Sequence, residues 1–328
     1  MNQAFSRTRL IASALLCTLI GALCSFSVEA ADYPNRPIHV VVPWPPGGPT
    51  DAVARVLSQE ISETLRQPVV IDNKAGATGV IGSDFAAKSA PDGYTIVVAG
   101  TASHSLAKIA SAKLPYDPLK DFRPIVEYGR YPVGIFVGGN LPMTNLAEFV
   151  AQSKSAKDGL SIGLPGIGSV SHLYAQLLAT KTGAKLTYVP YRGDAPARLD
   201  LLAGNIHGIA STPDFGLIAE GKARLIGSTG TKRWPQTPDV PTFAEAGFPD
   251  LVGFIVWGFA VPAGTPDDIV KILNEATNRA LQSERVKRIM VDNAYFVSGG
   301  TPEALWSVFE QQIAEFGAVV RSGAVKFE

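Results

Sequence analysis

The sequence predicts an α/β protein of two similar lobes joined by two extended crossings, with a ligand cleft between the lobes. Three observations carry this expectation. Short β-branched runs alternate with helical patterns, which implies parallel strands joined by helices. The alternation runs twice, with an interruption at Leu114-Pro115-Tyr116-Asp117-Pro118. The length of 328 residues suits about two domains.

The elements follow in order. Ile38-His39-Val40-Val41-Val42 reads as a strand buried on both faces. A helix over 50–65 follows, with Ala52, Val53, Val56, Leu57, Ile61 and Leu65 at helical spacing and Thr50 as its N-cap. Residues 69–71 form the next strand and 80–89 a helix. Pro91-Asp92-Gly93 then turns the chain into a strand over 94–99. Two strands near 124–127 and 133–137 come next. The second series has strands at 160–163, 186–189, 206–210 and 224–228, with helices between them. Residues 253–261 read as a crossing strand. The end is helical over 266–282 and again from 301 to 320, where Leu305, Val308, Phe309, Ile313 and Phe316 share one face. The expected domains are lobe 1 over 31–132 and 257–328, and lobe 2 over 133–256.

The first thirty residues have the three-part layout of a secretory signal peptide. Arg7 and Arg9 precede an apolar run from Leu10, and Val28-Glu29-Ala30 ends in small residues. Cleavage after Ala30 places the mature chain in the periplasm. It leaves 298 residues with 27 basic and 28 acidic side chains. Both cysteines, Cys17 and Cys24, leave with the peptide, so disulfides, thiolate nucleophiles and Cys metal ligands are excluded. The level charge excludes the broad basic field of a nucleic-acid binder.

Catalytic and cofactor motifs are sparse. The four histidines, His39, His104, His172 and His207, form no metal-ligand spacing. There is no G-x-S-x-G elbow, and Ser103-His104 and Ser171-His172 are adjacent pairs, unlike triad partners drawn from separate elements. The P-loop pattern is absent. Gly166-Ile167-Gly168 is a fragment of a dinucleotide fingerprint whose third glycine position holds Ser171. No cofactor or metal is expected.

What remains is anion recognition by backbone amides. Pro43-Trp44-Pro45-Pro46-Gly47-Gly48-Pro49-Thr50 links the first strand to the first helix, whose opening N–H groups lack partners. Leu164-Pro165-Gly166-Ile167-Gly168-Ser169-Val170-Ser171-His172 repeats that design in the second lobe. Two such turns at the carboxyl ends of parallel strands can face each other across the cleft. The plain alternative is two turns that only reverse the chain. Arg192 suits a carboxylate, which a guanidinium holds bidentately, or else an interlobe salt bridge. Asp51 and Arg55 read as a surface i,i+4 pair. Trp44, Trp257 and the tyrosines are pocket or core residues.

Val42-Pro43-Trp44-Pro45-Pro46-Gly47-Gly48-Pro49-Thr50-Asp51 with Ala54-Arg55 resembles the opening of Bug-type extracytoplasmic solute receptors, the substrate-binding subunits of tripartite tricarboxylate transporters. Ala90-Pro91-Asp92-Gly93-Tyr94, Val189-Pro190-Tyr191-Arg192-Gly193, Pro238-Asp239-Val240-Pro241-Thr242 and Pro262-Ala263-Gly264-Thr265-Pro266 are similar to further signatures of that family. The resemblance implies a type II periplasmic-binding-protein fold, a small organic carboxylate as ligand and transporter membrane subunits as partners. It implies a ligand site at Trp44, Gly47, Gly48, Pro49 and Thr50, and at Gly168, Ser169, Val170, Ser171 and His172. Thr101, Ser103 and His104 are expected on the distal side, with Arg192 and Ser211 also contributing. Two departures from the family pattern fall in the expected distal half: Ala107-Lys108 stands in place of Asn-Pro, and His207 and Ser211 in place of aspartates.

The expected function is therefore a non-catalytic, monomeric receptor that hands a carboxylate to a membrane transporter. The competing readings are a periplasmic sensor presenting its ligand to a histidine kinase, and an α/β enzyme acting on such an acid.

Overall fold

The computed structural model describes residues 33–110, 113–321 and 323. The signal-peptide expectation lies outside these residues. Contacts divide the chain after Asn35, and the unit Arg36–Glu328 holds both sheets.

The first sheet contains β1 (Ile38–Val42), β2 (Val69–Asn73), β3 (Thr95–Gly100) and β4 (Phe122–Tyr131). The second contains β5 (Gly134–Gly138), β6 (Leu160–Leu164), β7 (Leu186–Pro190), β8 (Gly208–Ser211) and β9 (Ala223–Ser228). The chain then returns to the first sheet through β10 (Ile255–Pro262) and the short edge strand β11 (Phe296–Val297). The orders are β11-β4-β10-β3-β1-β2 and β7-β6-β8-β5-β9. Leaving aside β11, both sheets share one plan: second, first, third, crossing, fourth strand.

Only part of each sheet is parallel. The pairs β1–β2, β1–β3, β6–β7 and β6–β8 are parallel, as the helical connections require. The crossing strands β5 and β10 pair antiparallel with both neighbours, because each arrives directly from the other sheet. In β1, Ile38, Val40, Val41 and Val42 are buried, but His39 faces outward, where its Nδ1 lies 3.0 Å from Asp72 Oδ2.

Helix α1 (Pro49–Leu65) buries Val53, Ala54, Leu57 and Ile61, and packs on the later helix Asp267–Ala280. Helix α2 (Val80–Ala87) follows β2. A wide turn over Thr101–Leu106 runs into the short helix α3 (Ala107–Ala110). The second sheet carries α4 (Leu146–Ser155), α5 (Val170–Thr182), α6 (Asp194–Ala203) and α7 (Phe215–Ala219). The C-terminal segment forms α8 (Asp267–Ala280), α9 (Glu284–Asp292) and α10 (Pro302–Arg321). Helix α9 and strand β11 fall where the sequence suggests no element. The helix buries only Val286 and Met290, a stripe too thin to stand out among its charged neighbours.

The two crossings between sheets are tied together by one side chain. Thr229 Oγ1 accepts from the Val133 amide at 2.9 Å and donates to the Gly253 carbonyl at 2.6 Å. Its backbone pairs with the same two residues. Helix α10 braces this region through Gln312, which donates to the Phe254 carbonyl at 2.9 Å and accepts from Ser105 Oγ at 2.8 Å.

Candidate functional site

The loop between β1 and α1 is held from beneath by Asp51. This carboxylate is buried and accepts from the Gly47 amide at 2.9 Å, Arg55 Nε at 2.8 Å and Asn73 Nδ2 at 2.9 Å. Asn73 Nδ2 also donates to the Trp44 carbonyl at 3.1 Å. Burial pushes the Asp51 carboxyl up, but the bonds from Arg55, Gly47 and Asn73 outweigh it and hold it below the usual carboxylate range. The expected surface pair is thus an internal knot that fixes the loop. Gly47 has φ +85°, a conformation that favours glycine. Gly48 occupies the N-cap position without a side-chain bond, and Pro49 opens the helix. The first-turn amides of Thr50 and Asp51 therefore remain for a ligand, at the positive end of the helix dipole. Thr50 is itself buried.

The second loop has the same geometry with different internal ties. Ser169 caps α5, its Oγ accepting from the His172 amide at 3.2 Å. His172 Nδ1 accepts from the Gly168 amide at 3.0 Å, which leaves the ring proton on Nε2. Burial lowers the His172 pKa, and its ring meets Tyr188 edge-on at 4.7 Å. The Gly168 amide and the Ser169 hydroxyl are therefore spent in building the loop. The amides of Val170 and Ser171 are the ones left for an anion.

A cavity of about 510 Å³ joins the two lobes beside the second of these turns. Thr78, Ala102 and Leu106 line it from the first sheet's side, and Ile167 and Gly168 from the second loop. Trp44 borders the same region: a Cβ added to Gly79 would lie 3.2 Å from its ring. Trp44 also meets Trp257 edge-on at 4.5 Å, and Trp257 covers Gly100, where a Cβ would come within 2.6 Å of the ring.

Three expected site residues lie elsewhere. Thr101, Ser103 and His104 are completely buried and do not form the distal wall. Thr101 Oγ1 accepts from the Val256 amide at 2.8 Å, and Ser103 Oγ lies 3.0 Å from His104 Nδ1. His104 packs among Phe122, Phe309, Tyr116 and Trp306, and burial lowers its pKa to about 3. Ala102, their neighbour, supplies the wall.

The two departures from the family pattern separate. Ala107 lines the cavity, while Lys108 turns to Asp117 Oδ2 at 2.6 Å. His207 sits at the amino end of β8, its Nδ1 accepting from Ser161 N at 3.1 Å and lying 2.7 Å from Ser161 Oγ. It therefore stands at the far end of the strand from the ligand loops. Ser211 is at the carboxyl end of β8, paired in register with Gly134 and buried. Arg192 is exposed and makes no ion pair among the described residues. Those residues contain no cluster of metal-ligating side chains and no helix long and apolar enough to cross a membrane.

The model of the tripartite tricarboxylate transporter family receptor matches residues 53–323. BugT of Bordetella pertussis is 34% identical over 306 residues, 92% of this chain and 93% of BugT. The malate-bound structure of MatC from Rhodopseudomonas palustris superposes with a TM-score of 0.76 at 34% identity, covering 88% of this chain and 100% of MatC. An adipate-bound R. palustris protein superposes with a TM-score of 0.81 at 32% identity, covering 90% of this chain and 99% of that one.

Proposed function

Because the chain belongs to the tripartite tricarboxylate transporter family of receptors and has the two-lobed periplasmic-binding fold, we propose that it captures a small organic carboxylate in the periplasm. It then delivers that acid to the transporter's membrane subunits. Lobe 1 (31–132 and 257–328) and lobe 2 (133–256) close over the ligand by movement at the crossings tied through Thr229. The single observation that carries this reading is the matched pair of glycine-rich loops opening α1 and α5, the second bordering an interlobe cavity through Ile167 and Gly168. Two sets of amide dipoles can hold an anion without a broad positive field. Malate and adipate in the related structures are acids of the size such a cavity takes. The protein works as a monomer, without cofactor or catalysis. Exposed Arg192 supplies a guanidinium at the rim for a ligand carboxylate.

The test is calorimetry with purified mature protein against a panel of organic acids. Binding of at least one acid, weakened in a Gly47→Val, Ser169→Ala double variant, is the expected result. Tight binding unaffected by that variant places the ligand away from these loops. Turnover of the bound acid by the protein alone overturns the receptor reading.

A further inference from the structure

The carboxyl end of the second sheet holds a part-buried acid, one of whose oxygens has no hydrogen-bond partner. Asp194 is the first residue of α6, directly after β7 and the turning Gly193 with φ +100°. Its Oδ1 is enclosed and has no hydrogen-bond partner. Burial raises its pKa, against the favourable effects of the Ser211 hydroxyl and Arg198. Its charge acts on Tyr131, the last residue of β4 in the first sheet, so the two side chains lie near each other where the sheets meet. The Tyr131 ring in turn meets Tyr295 edge-on at 4.9 Å.

The charges around Asp194 do not balance. Arg198 Nη1 lies 3.4 Å from Asp214 Oδ2, so one guanidinium serves two carboxylates. The cluster retains one negative charge in a poorly solvated place. A carboxylate withdrawn from water without a full partner is unfavourable unless a cation meets it. The aromatic ring of Tyr131 near it suits an organic cation.

We propose that Asp194 is a specificity-determining residue that receives the ammonium group of the ligand, making this chain a receptor for amino-bearing carboxylic acids. This rests on the carboxylate reading above. The first-turn amides take the carboxylate end and Asp194 takes the N–H donors. The same charge disfavours a second carboxylate placed at this position.

The test uses matched triples with one carbon skeleton each: aspartate, malate and succinate; glutamate, 2-hydroxyglutarate and glutarate; phenylalanine, phenyllactate and phenylpropionate. Affinities are measured by calorimetry for the wild type and Asp194→Asn, which keeps the side chain's size and removes its charge. The expected result is a triple whose amino member binds at least about tenfold more tightly than its analogues, with that preference lost in Asp194→Asn. A tenfold change corresponds to about 1.4 kcal/mol. A tightest binder without an ammonium group, or an equal loss for all three members of a triple, overturns the assignment while leaving the carboxylate reading standing. Binding of no acid in the panel overturns both. Unfolding of ligand-free protein supplies the control: Asp194→Asn is expected to unfold no earlier than wild type. An earlier midpoint makes Asp194 a structural anchor and overturns the proposal.

Discussion

Asp51→Asn tests whether the first loop is preformed by its buried carboxylate. In the wild type, Oδ2 accepts from the Gly47 amide and Arg55 Nε, and Oδ1 from Asn73 Nδ2. An asparagine has one acceptor oxygen, so its NH₂ must face at least one of these three donors. Orienting the oxygen toward Gly47 and Arg55 sets two NH₂ groups against each other at Asn73, which also anchors the Trp44 carbonyl. Hydrogen bonds involving a charged group contribute about 1.5–3 kcal/mol each, so the variant loses about 2–3 kcal/mol of stability. Released from Asp51, the Gly47 loop must be ordered by the ligand, and binding weakens about tenfold for each 1.4 kcal/mol of that ordering cost. Urea unfolding reads the first effect and calorimetry with the strongest-binding acid reads the second. The pH dependence has a defined sign. Asp51's folded pKa is depressed, so its stabilisation is complete above the unfolded value of 3.8 and disappears as pH falls through the lower folded value. Asp51→Asn lacks this acid transition. A variant with unchanged midpoint, affinity and acid profile would refute the claim that this knot shapes the loop.

Three further outcomes follow from the same geometry. His172 is held neutral, so its contribution is complete above the unfolded pKa of 6.5 and falls away as pH drops through the lowered folded value; protonation removes the acceptor for the Gly168 amide, ligand affinity declines on acidification, and His172→Phe flattens that component of the profile. Thr229→Val keeps the volume but strands the Val133 amide and the Gly253 carbonyl, costing about 2–4 kcal/mol in chemical denaturation and increasing hydrogen exchange at both crossings. Gly253→Ala places a Cβ 1.9 Å from Tyr174 Oη and 2.2 Å from Cζ, so the crossing or the ring must move and stability drops by about 1–3 kcal/mol, read from the urea midpoint.

Local pattern carried most of the fold and the positions of both glycine-rich loops. Buried strands such as β1 and β6 are written in consecutive apolar residues, and the helix after each begins where glycine and proline release the chain. The two glycine-rich loops were legible for that reason. What the sequence concealed depends on convergence between distant segments. The spacing of Asp51 and Arg55 predicts a surface pair, but Asn73 and the Gly47 amide reach the same carboxylate and turn it inward. Ser103 and His104 look like site residues because they are polar beside a strand end, yet the wide turn over Thr101–Leu106 points them into an aromatic cage and presents Ala102 instead. Asp194 carried no motif at all, and its isolation becomes visible only when Arg198 is seen to be shared with Asp214. The charge balance read from composition and this local imbalance fit together. A chain with no broad positive field has to hold an anion with backbone dipoles, whose reach is about one helical turn. Its selectivity among acids must then come from side chains beyond that turn. Asp194, whose Oδ1 is enclosed without a partner, is the side chain assigned to that discrimination by the proposal above.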